Sequence, residues 1–275
     1  MEIVTWILIA ANIIVSYTGF KDPAFFARYS FEVDKILIYK DYKRIITSGF
    51  LHVSWMHLIF NMLSLYFFSG GLESYLGVFK FLVIYFGSLV CGNLFSLFVH
   101  KKHDSYSSVG ASGAVCGIIF AAIALFPGLN IGLFFIPIPA WIYGIVFVLY
   151  SIYAIRSRKE NIGHEAHLGG ALAGLIIAIL MEPSALLTNY ITILLIFVPS
   201  AAFIYIILTK PQMLYIDNYF HRTNRNFYSI DHSYNAQKMD VQKRVDKILE
   251  KIHQKGMKSL TQREREILDE YSKKQ

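Results

Sequence analysis

An all-α polytopic membrane fold is what this sequence predicts, and three observations predict it. Of 275 residues, 55% are hydrophobic and 16% charged, and the mean hydropathy is +0.45, too apolar for a chain whose whole surface meets water. Apolar stretches recur at about 3–19, 52–69, 78–99, 110–126, 133–155, 164–181 and 188–209, each near the ~20 residues that cross a bilayer core. The strongly polar side chains inside those stretches are few and gathered in three of them, and because such groups are costly in lipid, each is a functional candidate.

The first stretch, MEIVTWILIAANIIVSYTGF, carries Glu2 where a secretory signal has lysine or arginine and lacks a small-x-small cleavage site, so it reads as a retained helix. The connection 21–50 mixes charge with Phe25, Phe26, Tyr29, Phe31 and Tyr39, more aromatics than a tether needs. It is expected to pack on itself at the interface. The segment FPGLNIGLFFIPIPA after the fourth stretch has no charge and should stay near the headgroups. Cys91 and Cys116 both fall inside apolar stretches, where they read as small core residues rather than a disulfide or a metal knuckle.

At Lys210 the composition changes: residues 210–275 hold 14 Lys/Arg against 9 Asp/Glu, a basic soluble tail. Val241, Val245, Ile248, Leu249 and Ile252 repeat at helical spacing, Gly256 suits a C-terminal cap, and Thr261 with Glu264 forms a capping box opening a second helix. The resulting hairpin could dock on a partner protein or on lipid, or be a small folded tail with no activity of its own. Nothing in the chain calls for a cofactor, a metal or a nucleic-acid partner.

The polar groups are His52, His57 and Asn61 in the second stretch, Ser112 at the start of the fourth, and His164, Glu165 and His167 in the sixth. His57 and Asn61, four apart, share one helix face and could donate hydrogen bonds to one anion, or simply pair helices. Gly170 and Gly174 make a small-xxx-small face that lets a neighbouring helix approach to backbone contact, and His167 lies on that side. Gly110 and Gly113 let the backbone turn sharply around Ser112, which sits beside unpaired N–H groups at a helix N-terminus. If the fourth and sixth helices pack through their glycines, His167 can accept the Ser112 proton and return it to a leaving amine. His57, Asn61 and the Ser112 backbone N–H would then stabilise the tetrahedral oxyanion.

These motifs resemble the rhomboid family of intramembrane serine proteases: H-x-x-x-N at His57 to Asn61, G-x-S-G at Gly110 to Gly113, and A-H-x-x-G-x-x-x-G at Ala166 to Gly174, in the expected order. The resemblance covers about residues 1–185. It implies a six-helix catalytic core there, an additional transmembrane helix at 186–209 and the tail 210–275 outside the match. It further implies a Ser112-His167 dyad without a third carboxylate, single-span membrane proteins as substrates, and residence in a bilayer, on this resemblance the bacterial plasma (inner) membrane. Glu73 and Gly77 match a turn that the family uses structurally after the second helix. The family's Trp-Arg pair reads Lys43-Arg44 here, and the position four after the serine, an aromatic beside the catalytic histidine in many members, is Cys116.

Three rival functions compete with this one. Zinc hydrolysis needs H-E-x-x-H, and HEAH followed by Leu168 does not place two histidines one turn apart. A transporter would show inverted repeats or paired broken helices. The main alternative is a catalytically inactive rhomboid-like protein that binds membrane clients; such relatives usually lack the serine or the histidine, and both are present. Seven spans put 25 of the 26 Lys/Arg on one side, with Lys80 on the other. The positive-inside rule makes that side cytoplasmic, whereas the resemblance places the entrance to Ser112, on the same side, outside the cytoplasm.

Overall fold

The computed structural model describes residues 2–101, 106–133, 136–157 and 163–209, together with positions 245, 248, 251, 252, 260, 261, 264, 268 and 271. The first helix, α1 (Ile3–Lys21), begins with N–H groups that its own turn cannot satisfy. The Glu73 carboxylate satisfies them, accepting from Val4 N at 3.1 Å, Thr5 N at 3.0 Å and Thr5 Oγ1 at 2.6 Å. Asp22 ends α1 and caps α2 (Pro23–Tyr29), its Oδ1 accepting from Ala24 N and Phe25 N at 2.8 and 3.1 Å with proline at the first helical position.

The charged connection then folds on itself, as its aromatic content predicts. Strand β1 (Phe31–Glu32), helix α3 (Val33–Leu37), helix α4 (Arg44–Thr47) and a 3₁₀ turn at Ser48–Phe50 follow. Buried Arg44 draws them together, donating to Ala27 O at 2.8 Å, Ser30 O at 2.7 Å and Asp41 Oδ2 at 2.9 Å, with Glu32 Oε1 3.5 Å away. Burial raises the Asp41 pKa, but the hydrogen bond and charge of Arg44, with Lys43 beyond, outweigh it and hold that carboxyl below its ordinary value. The Arg44 cluster is therefore complete at neutral pH and loosens as acid protonates Asp41.

Helix α5 (Trp55–Leu76) starts where Ser54 Oγ accepts from His57 N at 3.1 Å. It ends at Gly77, whose φ of 77° suits a residue without Cβ. Next come α6 (Val78–His100), β2 (Ser107–Ser108) paired antiparallel with β1, and α7 (Ser112–Leu125). A β3–β4 hairpin (Asn130–Leu133 with Ile136–Pro139) leads to α8 (Ala140–Ser157). The chain continues through α9 (His164–Met181), α10 (Ala185–Thr188) and α11 (Tyr190–Thr209). Among these, α1, α6, α9 and α11 are each long and apolar enough to cross a bilayer, and Arg44–Phe50 with α5 makes a fifth candidate bent by 95°. Helices α7 and α8 are shorter apolar helices, so the protein is an all-α, multi-pass membrane fold, with two small antiparallel ribbons among the described residues.

Four expectations are corrected. His52 precedes α5 rather than lying in it, because Ser54 captures the helix start. The fifth apolar stretch does not begin a helix near 133: Pro137 and Pro139 lack the N–H a helix needs, and Asn130–Leu133 pairs with Ile136–Pro139 instead. Glu73 lies inside α5 and not in a turn, since the helix runs on to Leu76. Cys91 is exposed on α6 and only Cys116 is a core residue.

Helix α7 is buried all round, every residue from Gly113 to Ala124 being covered. Glycines make that enclosure possible. A Cβ on Gly170 would run into the Gly113 carbonyl, one on Gly174 would meet the Gly117 backbone, and one on Gly92 would stand 2.5 Å from Ala166 O. Helices α6, α7 and α9 are thus in backbone contact. At the opposite end from the charged connections, Lys80 Nζ reaches Glu182 Oε1 at 2.5 Å and Met181 O at 3.3 Å, pinning the start of α6 to the end of α9.

Residues Phe227–Gln275 form a compact unit of their own. In it Val245, Ile248 and Leu260 are buried. Glu264 Oε2 accepts from Thr261 N at 2.7 Å and Thr261 Oγ1 accepts from Glu264 N at 3.3 Å, the expected capping box. Val241, Leu249 and Gly256 lie outside the described residues.

Two stability outcomes follow. Gly170→Val should lower the melting temperature in detergent sharply, because its side chain meets backbone that cannot yield, whereas Gly71→Ala, with nothing within 4 Å, should leave it unchanged. Glu73→Ala strands the buried Thr5 donors at about 1–3 kcal/mol for each group left unpaired, and limited proteolysis should then release α1 first.

Candidate functional site

Three helix starts and one loop meet at the site. Ser112 is the first residue of α7, so its backbone N–H has no partner within the helix and lies at the positive end of the helix dipole. The turn before it is made by Gly110, at φ 137°, whose N–H donates to Ser48 O at 3.0 Å. A Cβ on Gly110 would stand 2.9 Å from His57 Cε1, 3.1 Å from His57 Nε2 and 3.5 Å from Ser112 Oγ. Glycine is therefore needed there both for its backbone angle and for the space that lets the His57 ring and the Ser112 hydroxyl face one point.

His167 comes from the first turn of α9, its N–H bonded to Gly163 O at 3.1 Å. Its Nε2 lies 2.6 Å from Ser112 Oγ, within reach for a proton to pass between them. This contact depends on the glycine faces, because Gly113 and Gly170 sit one and three positions further along their helices. Glu165, two positions from His167, turns away and pairs with His100 Nε2 at 3.3 Å.

His57 and Asn61 lie on one face of α5, as their spacing predicts. Asn61 is buried and gives one amide hydrogen to His57 O at 2.9 Å, leaving the second for another acceptor. The sequence-predicted residues Ser112, His167, His57, Gly110 and Gly113 are thus brought together, with Asn61 one turn further along α5. Gly170 and Gly174 support them from α9, while Glu73 belongs to the α1 anchor.

His52 is a member of the site that sequence spacing could not assign, since five residues do not separate like faces of a helix. Ser16 Oγ donates to Phe50 O at 2.9 Å and lies 2.9 Å from His52 Nδ1. A hydroxyl has one hydrogen and a carbonyl can only accept, so His52 Nδ1 must carry the proton and donate to Ser16. Its Nε2 is then the acceptor facing Ala111 N, a long contact of 3.5 Å. The His52 ring also packs edge-on against His57, with centroids 4.9 Å apart. One buried imidazole therefore steadies both the peptide before Ser112 and the ring beside it.

A family model described as the Rhomboid domain matches residues 39–184, and a second, of a family of unknown function (DUF6576), matches 228–274. Rhomboid protein 1, mitochondrial, of Saccharomyces cerevisiae is 35% identical over 150 residues, 51% of this chain and 43% of its own. YdcA of Bacillus subtilis, also rhomboid-named, is 33% identical over 139 residues, 50% of this chain and 66% of its own. Human presenilin-associated rhomboid-like protein, mitochondrial, is 31% identical over 134 residues, 46% of this chain and 35% of its own. The chain thus spans less than half the length of the yeast and human relatives, and their mitochondrial names give the expected bacterial plasma membrane no support; what holds is a multi-pass membrane protein. With its Rhomboid-domain match running across α5 to α9, over more than half of its length, this chain belongs to the rhomboid family.

Proposed function

We propose that this protein is an intramembrane serine endopeptidase that cuts single-span membrane proteins with a Ser112-His167 dyad. The observation that carries the reading is the 2.6 Å separation of His167 Nε2 and Ser112 Oγ. Helix α7 is 14 residues long, a rise of about 21 Å against a hydrocarbon core of about 30 Å. If its far end lies at one headgroup layer, Ser112 is recessed below the other, where a substrate helix must unwind to reach it.

In the reaction, neutral His167 takes the Ser112 proton as Oγ bonds to the substrate carbonyl carbon. The carbonyl electrons move onto oxygen, and on collapse the leaving amine departs with the proton from His167. Water, deprotonated by the same imidazole, then splits the acyl-enzyme. The oxyanion meets the Ser112 backbone N–H, the free Asn61 amide hydrogen and His57. Among the described residues, His57 Nδ1 is buried without a hydrogen-bond partner. Placing its proton there would strand a donor, so the Nε2–H form is favoured, and Nε2 is the nitrogen beside Gly110 and Ser112.

The first test is cleavage of a transmembrane-segment substrate by purified protein. Ser112→Ala and His167→Ala should abolish it while the melting temperature holds, and loss of one oxyanion donor by Asn61→Ala should slow it by ~10²–10³-fold. Undiminished cleavage by Ser112→Ala would turn the reading toward an inactive client-binding protein. The tail 210–275 is proposed to serve regulation or binding of a partner protein, so truncation after Thr209 should retain cleavage in detergent. Loss of activity in a well-folded truncation would make the tail part of the catalytic unit.

A further inference from the structure

The His167 ring has one hydrogen bond to the reacting groups, to Ser112 Oγ. Acylation removes the Ser112 hydroxyl hydrogen and with it that hydrogen bond, just before the imidazole must orient a water. A contact that survives acylation is needed. One turn along α7 from Ser112 stands Cys116, a small side chain, and one turn further along α9 from His167 is Gly170, which has none beyond hydrogen. Glu165 is occupied with His100.

The turn on the other side carries a ring. His164, buried at 6% exposure, lies three residues before His167 on α9, and the two imidazoles meet edge-to-face with centroids 5.7 Å apart at 81°. Tyr150 of α8 packs behind it in the same manner, at 5.5 Å and 78° from His164. Edge-to-face contact at such spacing is attractive and directional, so rotation of His167 about its side-chain bonds would lose it.

We propose that His164 is a positioning residue: supported by Tyr150, it holds the His167 imidazole in its working orientation while Ser112 is acylated. The inference rests on the reading of Ser112 and His167 as the catalytic pair. It assigns to α8 a part in catalysis although that helix supplies no reacting group. Because the substrate does not touch His164 in this scheme, the effect falls on turnover and not on substrate affinity.

The test uses the full chain in detergent, a fluorogenic transmembrane-segment peptide for kcat and KM, and a fluorophosphonate probe for labelling of the active serine. His164→Ala should lower kcat by about tenfold, a part of the ~10²-fold that a 1 Å misplacement of a catalytic group can cost, with KM unchanged. His164→Phe, which restores a ring edge, should return kcat to near the unsubstituted value, and Tyr150→Ala should lower it in the same direction by less. Unchanged kcat in His164→Ala would overturn the proposal, as would His164→Phe turning over as slowly as Ala at an unchanged melting temperature. If His164→Ala does not fold, His164→Phe and His164→Asn are compared instead: Phe must be the faster, and the reverse order overturns the proposal. Absence of Ser112 labelling in the unsubstituted protein would instead remove the dyad reading, and with it this inference, whereas labelling with an unaffected His164→Ala removes the inference alone.

Discussion

Backbone-to-backbone contact through glycine is the constraint on which the arrangement depends. Gly113 and Gly117 of α7 meet Gly170 and Gly174 of α9, and Gly92 of α6 meets the carbonyl of Ala166. In lipid there is no hydrophobic drive to bring helices together, so close van der Waals packing must supply it. The same contact sets how two polar side chains meet: Ser112 precedes Gly113 by one residue and His167 precedes Gly170 by three, so the glycine register becomes the serine-histidine distance. A side chain added at this seam would therefore disturb stability and geometry together.

Around that seam, buried polar groups occupy the places where backbone is left unpaired. Glu73 takes the first N–H groups of α1, Arg44 gathers the carbonyls that end α2, and Asn93 Nδ2 donates to Ile45 O at 2.7 Å. The segment 109–111 that carries the chain to Ser112 is irregular backbone, and such backbone is tolerated at membrane depth only where protein covers it. Here β2, Ser48 and His52 do so, with Gly110 N bonded to Ser48 O. The non-helical turn that leads to Ser112 is thus bounded by groups from α1, the 3₁₀ turn and the β1–β2 ribbon.

Much of this was legible in local pattern. The apolar stretches marked where the apolar helices lie, the i,i+4 spacing put His57 and Asn61 on one face, and the G-x-x-x-G spacing of Gly170 and Gly174 announced a close helix contact. The motif GASG told that a turn would present Ser112 at a helix start, because glycine spacing and helix-end chemistry are properties of a few adjacent residues. Hydropathy misjudged the start of the 133–155 stretch, since an uncharged hairpin and an apolar helix score alike and only the two prolines distinguish them. It also could not separate an outward-facing Cys91 from a buried Cys116, because lipid and protein interior are equally apolar surroundings.

By itself the sequence determined a multi-pass helical membrane protein, the identities of its polar residues and the faces on which the glycines lie, all of which follow from composition and from the period of the helix. Only the tertiary structure decided which polar groups meet. That His167 reaches Ser112 across 55 residues, that Ser16 dictates the His52 tautomer, and that the His164 ring rests against His167 with Tyr150 behind it depend on how helices distant in sequence are packed. Local spacing sets the direction of a side chain on its own helix, whereas the distance to a partner on another helix is set by the backbones between them, and here those backbones touch because the residues at the crossing are glycine.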